Sequence, residues 1–282
     1  MVSRFMRFFR WALVAALLTQ ACAPHGSGAA ALSTERSPET TLYFVQITDT
    51  HLGDRDHVAR TRKLVDQINA LSYDIACVVH TGDIFADNLT NATAREEGLG
   101  VLKRLNAPLH LLPGNHDILE ASLEDTLRIY TREVGPLIHQ AEYRGVVLVF
   151  AYTEPAAMGF SVPGYEPLKA MEAAFAQAAG KPIILFHHRP AVDDYYEFAL
   201  HPGWDPKGRS ALESLLREQR VQAVITGHFH RDELHWLDGI PIFAAPPVAG
   251  YWGRQASFRL YEYRGGRLGY RTVYLREQSP CY

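Results

Sequence analysis

The chain has 282 residues, 47% hydrophobic and 21% charged, with a formal net charge of −3. That is enough apolar material for a layered core, and it excludes fibrous, low-complexity and disordered classes. The mildly acidic balance and the lack of any basic block or stripe make nucleic acid an improbable partner.

Arg4, Arg7 and Arg10 precede the apolar run Trp11 to Leu18, and Thr19-Gln-Ala-Cys-Ala-Pro24 follows. This is the basic, apolar, small-residue order of a secretory signal, and the run is too short to span a bilayer. Leu18-Thr19-Gln20-Ala21-Cys22 resembles a bacterial lipobox, with Thr19 and Gln20 departing from its usual residues. The favoured expectation is a signal peptide over residues 1–21 and a lipidated Cys22 that attaches the protein to a membrane in the periplasm or cell envelope. The alternatives are ordinary cleavage between Ala23 and Ala31, or a cytoplasmic protein with an incidental apolar start. Removing residues 1–21 takes away three arginines and no acid, so 25 basic residues face 31 acidic ones, a net charge of about −6. Residues 22–41, rich in Gly, Ala, Ser and Pro without periodicity, read as a flexible tether. Cys77 reads as a small core residue in an apolar strand, a kind that usually stays free; with Cys22 lipidated, Cys77 and Cys281 are the two left that could pair.

From residue 42 to 282 a single α/β domain is expected. Strands are predicted at 43–48, 75–80, 108–112, 145–152, 182–187, 221–226 and 240–245. Helical spacing of apolar residues occupies 56–71, 94–105, 122–130, 167–179 and 210–219. Phe258 to Tyr274 alternates with period two around Gly265-Gly266, predicting a C-terminal β-hairpin.

Five short pieces punctuate this pattern: Asp49-Thr50-His51, Gly82-Asp83, Gly114-Asn115-His116-Asp117, His187-His188 and Gly227-His228-Phe229-His230. Several follow a β-branched apolar run, where a strand hands over to a loop. Carboxylates, imidazoles and an amide delivered from successive strand ends converge on one rim of a sheet, and this mixed O/N set suits two ions of Mn, Fe, Zn, Co or Ni. Taken singly, each Asp or His here is more often a turn or surface residue; taken together they read as a dinuclear metallohydrolase. Two cations roughly 3.5–4 Å apart need a bridging anion, and Asp83 is the candidate. Each ion then polarises a phosphoryl oxygen, and a bridging water of lowered pKa is the nucleophile. Glycines 82, 114 and 227 are expected to let the backbone turn sharply.

The ordered set D-x-H, G-D, G-N-H-D, H and G-H-x-H resembles the calcineurin-like metallophosphoesterase superfamily over about residues 43 to 245. The resemblance implies a four-layered α-β-β-α sandwich with mixed sheets and metals at the strand ends. It implies that Asp49, His51 and His230 complete one metal site and that Asn115, His187 and His228 complete the other. His116 is then left to protonate the leaving group, with Asp117 fixing its tautomer. Between the adjacent pair, His187 is taken as the ligand and His188 is placed behind it or facing substrate. Arg189 is divided between a phosphate contact and a surface role.

Ile84-Phe85-Ala86 after Asp83 lacks the tyrosine of purple acid phosphatases and the Val-Asp-Arg-Gly of protein Ser/Thr phosphatases. Gly114-Asn-His-Asp117 keeps histidine where UDP-diacylglucosamine hydrolases carry arginine. Gln46-Ile-Thr-Asp-Thr-His-Leu52 is most similar to bacterial cyclic-nucleotide and glycerophosphodiester phosphodiesterases. The expected substrate is a small phosphoester, with diesters favoured over monoesters. A catalytically silent binding protein on this fold and a nuclease are the competing classes. His57, His110 and His139 read as structural or surface, whereas His201 and His235 are candidates to reach the cleft. Segments 154–170 and 190–209 read as long connections near the sheet rim that either select substrate or use their aromatics to pack onto the body of the domain.

Overall fold

Successive side chains of a strand face opposite sides, and that alternation divides the core of this protein into layers. The computed structural model describes residues 41–192 and 202–276. The signal-like segment, almost all of the tether, Cys22, His201 and Cys281 lie outside the described residues.

One sheet contains β1 (Leu42–Ile47), β2 (Ile75–Thr81), β3 (Leu109–Leu112), β10 (Ser257–Arg264) and β11 (Arg267–Tyr274), in the order β11-β10-β1-β2-β3. The other contains β4 (Ile138–Tyr143), β5 (Val146–Ala151), β6 (Ile183–Phe186), β7 (Val221–Thr226), β8 (Glu233–Leu237) and β9 (Ile240–Ala244), in the order β4-β5-β6-β7-β9-β8. Both are mixed: β1, β2 and β3 run parallel, as do β5, β6, β7 and β9, while the outer strands run antiparallel.

Phe44, Cys77, Val79, Phe150, Ile184, Phe186 and Ile225 fill the space between the sheets. Their neighbours turn outward: Val45, Ile47 and Val78 pack under α1 (His57–Asn69) and α2 (Ala92–Leu102), beside α3 (Leu123–Ile129). Val149, Leu185 and Val224 pack under α4 (Glu154–Met158), α5 (Pro167–Gln177) and α6 (Pro206–Arg217). The architecture is the expected four-layered sandwich closed by a C-terminal hairpin. Cys77 is buried, and burial pushes its thiol up to about 12.

Capping moves two predicted helix starts. Asp205 accepts from the Lys207 and Gly208 amides at 2.8 and 2.9 Å with Pro206 at the first helical position, so α6 begins before the periodic apolar residues do. Asn91 caps α2 in the same way, accepting from Ala94 at 3.2 Å. Strands β4 and β8 were not predicted; both are edge strands with few buried side chains. Each is joined to its partner by two residues with positive φ, Arg144-Gly145 (+52°, +80°) and Asp238-Gly239 (+47°, +79°), as Gly265-Gly266 joins β10 to β11. Such primed turns match the strand twist.

The three histidines read as structural are accounted for by hydrogen bonds. His57 takes the Gly250 amide on Nε2 at 3.1 Å and donates from Nδ1 to the His51 carbonyl at 3.0 Å. His110 and His139 lie 3.2 Å apart and stack on Phe150. His80, which the sequence did not single out, is fully buried and meets the Thr50 hydroxyl at 2.9 Å. Burial lowers His80 from 6.5 to about 3 and His139 from 6.5 to about 4. The unfolded chain therefore takes up protons below pH 6.5 that the folded chain refuses until about 3 to 4, so this stability is complete above 6.5 and is lost as pH falls. Thermal melts should show a falling Tm from pH 7 to 5, and His139→Gln, which cannot charge, should flatten the decline.

Candidate metal centre

The ligand candidates stand at the carboxyl ends of β1, β2, β3, β6 and β7, the parallel strands of both sheets, where α/β proteins place their sites. Backbone bonds tie these loops together. Asp49 N–H donates to the Gly82 carbonyl at 3.0 Å, His51 N–H to the Asp83 carbonyl at 3.1 Å, and Gly227 N–H to the His188 carbonyl at 2.9 Å. Asp49, His51, Asp83, His228 and His230 all have φ between +43° and +66°. Non-glycine residues in this region cost roughly 1–3 kcal/mol each and persist where the surroundings over-determine them.

Glycine is needed here for space as much as for turning. A Cβ on Gly114 would lie 2.2 Å from Asp83 Oδ1, and one on Gly227 would lie 2.5 Å from Asp49 Oδ2. The expected turn role needs positive φ, which Gly82 has at +94°; Gly114 and Gly227 instead let the backbone press against a carboxylate.

Three overlapping groups of side chains come together: Asp49 with His51 and His230; His51 with Asp83 and His116; Asp83 with His188 and His228. Asp83 belongs to two of them. Its Oδ2 lies 3.1 Å from His188 Nε2, 3.8 Å from His51 Nε2 and 4.0 Å from His116 Nε2, while Oδ1 accepts the His116 amide at 2.9 Å. Asp49 Oδ1 meets His230 Nε2 at 3.1 Å, and its Oδ2 accepts from the Thr48 hydroxyl at 2.6 Å and the His228 amide at 3.1 Å. Asn115 Oδ1 is buried with no hydrogen-bond partner. Imidazole nitrogens facing each other at 3.2 Å (His188–His228) and 3.4 Å (His51–His230), together with that orphaned amide oxygen, are what a cation-binding set looks like. The residues fit transition-metal ions.

His188, not His187, joins the set. Leu185 faces the helical layer and Phe186 the space between the sheets; alternation then sends His187 outward, its ring 5.6 Å from Trp204, and His188 inward. His188 Nδ1–H donates to the Thr81 carbonyl at 2.8 Å, leaving Nε2 toward Asp83. Both ring nitrogens of His187 are buried without a partner, and burial lowers it to about 3, so it stays neutral.

Asp117 does not meet the His116 ring. It is buried and accepts the Gly114, Phe85 and Ile84 amides at 2.9, 2.9 and 3.1 Å, which ties the β3 loop to the β2 loop. The His116 tautomer is set by Asp87, 2.8 Å from Nδ1. The His116 side chain is 35% exposed, against 4% or less for Asp49, His51, Asp83, His188 and His230, so it faces the cleft. Arg189 is neither at the surface nor free for phosphate. It is buried against Glu154, with Nε at 2.8 Å and Nη2 at 2.7 Å, and donates to the Pro202 carbonyl at 2.6 Å. His228 Nε2 lies 2.9 Å from Arg189 Nη1 and 3.1 Å from that same carbonyl, while His228 Nδ1 faces His188 Nε2 at 3.2 Å.

Burial opposes charge on both carboxylates, yet the surrounding histidines hold Asp83 well below the usual range and Asp49 at about 2. Burial likewise disfavours a charged His188, but Asp83 and Asp49 raise it to about 10. Burial and the Asp83 charge push Asp117 up to about 7 against its three amides.

The cleft over the set measures about 600 Å³ and is lined by His51, Asp54, Asp87, His116, His230, Tyr251 and Trp252 among others. Its aromatic wall comes from the loop after β9. The 154–170 segment forms α4 and the first turn of α5, and Pro163 to Tyr165 line a different pocket. Trp204 of the 190–209 segment is buried, with its indole N–H on the Arg189 carbonyl at 2.7 Å. His235 pairs with Glu233 at 2.8 Å and is not a cleft residue.

Residues 42–232 match the model of the calcineurin-like phosphoesterases. The chain belongs to this family. It is a metal-dependent phosphoester hydrolase. A cAMP/cGMP dual specificity phosphodiesterase of Mycobacterium tuberculosis is 27% identical to this calcineurin-like phosphoesterase over 225 residues, covering 74% of this chain and 68% of that protein. A probable glycerophosphodiester phosphodiesterase of Arcobacter nitrofigilis is 27% identical over 223 residues, covering 73% of this chain and 78% of the other. A dimetal phosphatase from Danio rerio shares the fold, with a TM-score of 0.58 at 16% identity over 83% of this chain and 99% of that one.

The geometry makes the two adjacent histidines separable. Metal analysis after dialysis should find less bound Mn²⁺ in His188→Asn than in the parent protein, and His187→Asn should keep the parent's content. The reverse order would return the ligand role to His187.

Proposed function

We propose that this protein hydrolyses phosphodiesters at a pair of transition-metal ions bridged by Asp83. Asp49, His51 and His230 would hold one ion, and Asn115, His188 and His228 the other. The observation that carries this reading is the place of Asp83 in two ligand groups at once, with His51 and His116 on one side and His188 and His228 on the other. Such a pair supplies Lewis acidity toward phosphoryl oxygens and an activated water at neutral pH.

The protein's own groups do the rest. The His116 amide fixes the Asp83 carboxylate at 2.9 Å, and Asp87 orients the His116 ring. Burial opposes a proton on His116, but Asp83 and Asp87 raise its pKa above the ordinary value, so a proton is available for a departing ester oxygen. No Lys or Arg appears among the described residues lining the cleft, while Asp54 and Asp87 do. A lining of that sign suits the single charge of a diester better than the double charge of a monoester. Relatives named as phosphodiesterases point the same way. Export with attachment through Cys22 is part of the proposal and rests on residues 4–22 of the sequence alone.

Full-length protein purified without chelator should hydrolyse bis-p-nitrophenyl phosphate faster than p-nitrophenyl phosphate, with Mn²⁺ restoring the activity that EDTA removes. Asp83→Ala should lose metal and turnover together. His116→Ala should keep its metal and lose roughly 10²–10⁴ in kcat, most severely with alkyl leaving groups. Full turnover of an alkyl diester by His116→Ala would remove the acid role.

A further inference from the structure

The cleft holds one feature that hydrolysis itself does not use, an aromatic wall beside the candidate ligands. Tyr251 is fixed on several sides. Its hydroxyl donates to Asp54 at 2.7 Å, its ring meets His51 and His57 edge-on at 5.1 and 4.9 Å, and the Arg55 guanidinium lies 4.7 Å from the ring centre. The loop that carries it is bound to the β1 end by Val248 N–H on the Thr48 carbonyl at 3.0 Å and Ala249 N–H on the Asp49 carbonyl at 2.9 Å. The wall is therefore anchored to the residue that begins the metal set.

Trp252 stands next in the chain at φ +54°, a region that bulky residues rarely adopt. Its ring lies 5.5 Å from the His230 imidazole and 5.7 Å from Tyr251, and the residue is 60% exposed. A large indole kept in contact with solvent, in a strained conformation, next to a candidate ligand and inside the cleft, is what a stacking surface requires. Asp87 is engaged by His116 and Asp54 by Tyr251, and no Lys or Arg stands among the described lining residues.

We propose that Trp252, held beside His230 by Tyr251, is a specificity-determining residue that selects phosphodiesters carrying a planar aromatic group, a nucleobase or an aryl ring, on one ester arm. The proposal rests on the hydrolytic reading for the bond that is cut, and on the cleft alone for the arm that is recognised. The indole stands beside His230 in the same cleft as the candidate ligands, where it would meet a ring on the ester substituent of a phosphoester held there. The effect assigned to it is on binding of the arm.

Binding of the product-like monophosphates AMP, phenyl phosphate and glycerol 3-phosphate to Mn²⁺-loaded full-length protein tests this by calorimetry. All three carry the same phosphate group, so the contribution of the metals cancels in the ratios. AMP or phenyl phosphate should bind roughly tenfold or more tighter than glycerol 3-phosphate, the scale of one stacked ring. A gain for AMP alone assigns the site to nucleobases, and a gain for both assigns it to aromatic rings generally. Trp252→Ala should bring the ratio to about one, and Trp252→Phe should keep most of the preference. Trp252→Leu, which retains apolar bulk without a comparable π-face, gives the same comparison should the alanine variant fail to fold. Equal binding of all three by the parent protein, or a preference that survives in Trp252→Ala and Trp252→Leu, would overturn the proposal. Failure of the hydrolytic reading would look different: aromatic preference in binding without metal-dependent turnover of bis-p-nitrophenyl phosphate.

Discussion

Two carboxylates, Asp49 and Asp83, are taken out of water where the two sheets meet, and the surrounding structure is arranged to hold their charge. Burying an unpaired carboxylate is costly, so the chain must bring positive charge to it. Without metal, this falls to histidines; hence His188 is driven to keep a proton up to about 10, although its burial opposes that charge. Cations at the same place would relieve both carboxylates and release the proton. Metal binding and the integrity of this rim are therefore linked.

The backbone conforms to that demand. Positive φ at successive ligand candidates, and glycines whose Cβ would strike Asp83 or Asp49, show loops pressed close to the carboxylates. Amides of His116 and His228 are aimed at those oxygens, and Asp117 binds the β3 loop to the β2 loop through three further amides. Beneath, Gln46 donates to Thr81 and to the Thr226 carbonyl, both at 2.8 Å, and accepts from Tyr261 at 2.9 Å. One buried amide thus joins β1, β2 and β7, the strands that deliver Asp49, Asp83 and His228.

Much of this was legible in the sequence because the metal-binding residue types recur directly after apolar runs, and those runs fold as the parallel strands. The choice between His187 and His188 was missed although the signal was there: counting from Phe186, alternation puts His188 on the inner side. Asp117 misled for a related reason, since adjacent residues face different ways and the partner of His116 is Asp87, remote in sequence. Arg-Gly and Asp-Gly mark two hairpins, and their edge strands carry too few buried residues to show a period. The aromatic wall had no motif to announce it. Tyr251 and Trp252 reach the cleft through the pairing of residues 248 and 249 with the end of β1 and of Gly250 with His57, contacts some 200 residues apart in the chain that local pattern does not encode.

The central claim is that Asp83 bridges two ions rather than serving one. Electron paramagnetic resonance of the full-length protein titrated with Mn²⁺ tests it directly, because two Mn²⁺ ions joined by a shared carboxylate are magnetically coupled. The account predicts that the second equivalent converts an isolated six-line signal into a coupled multiline spectrum, and that Asp83→Asn weakens that coupling. A spectrum that remains that of isolated Mn²⁺ at saturation, with activity present, would contradict it.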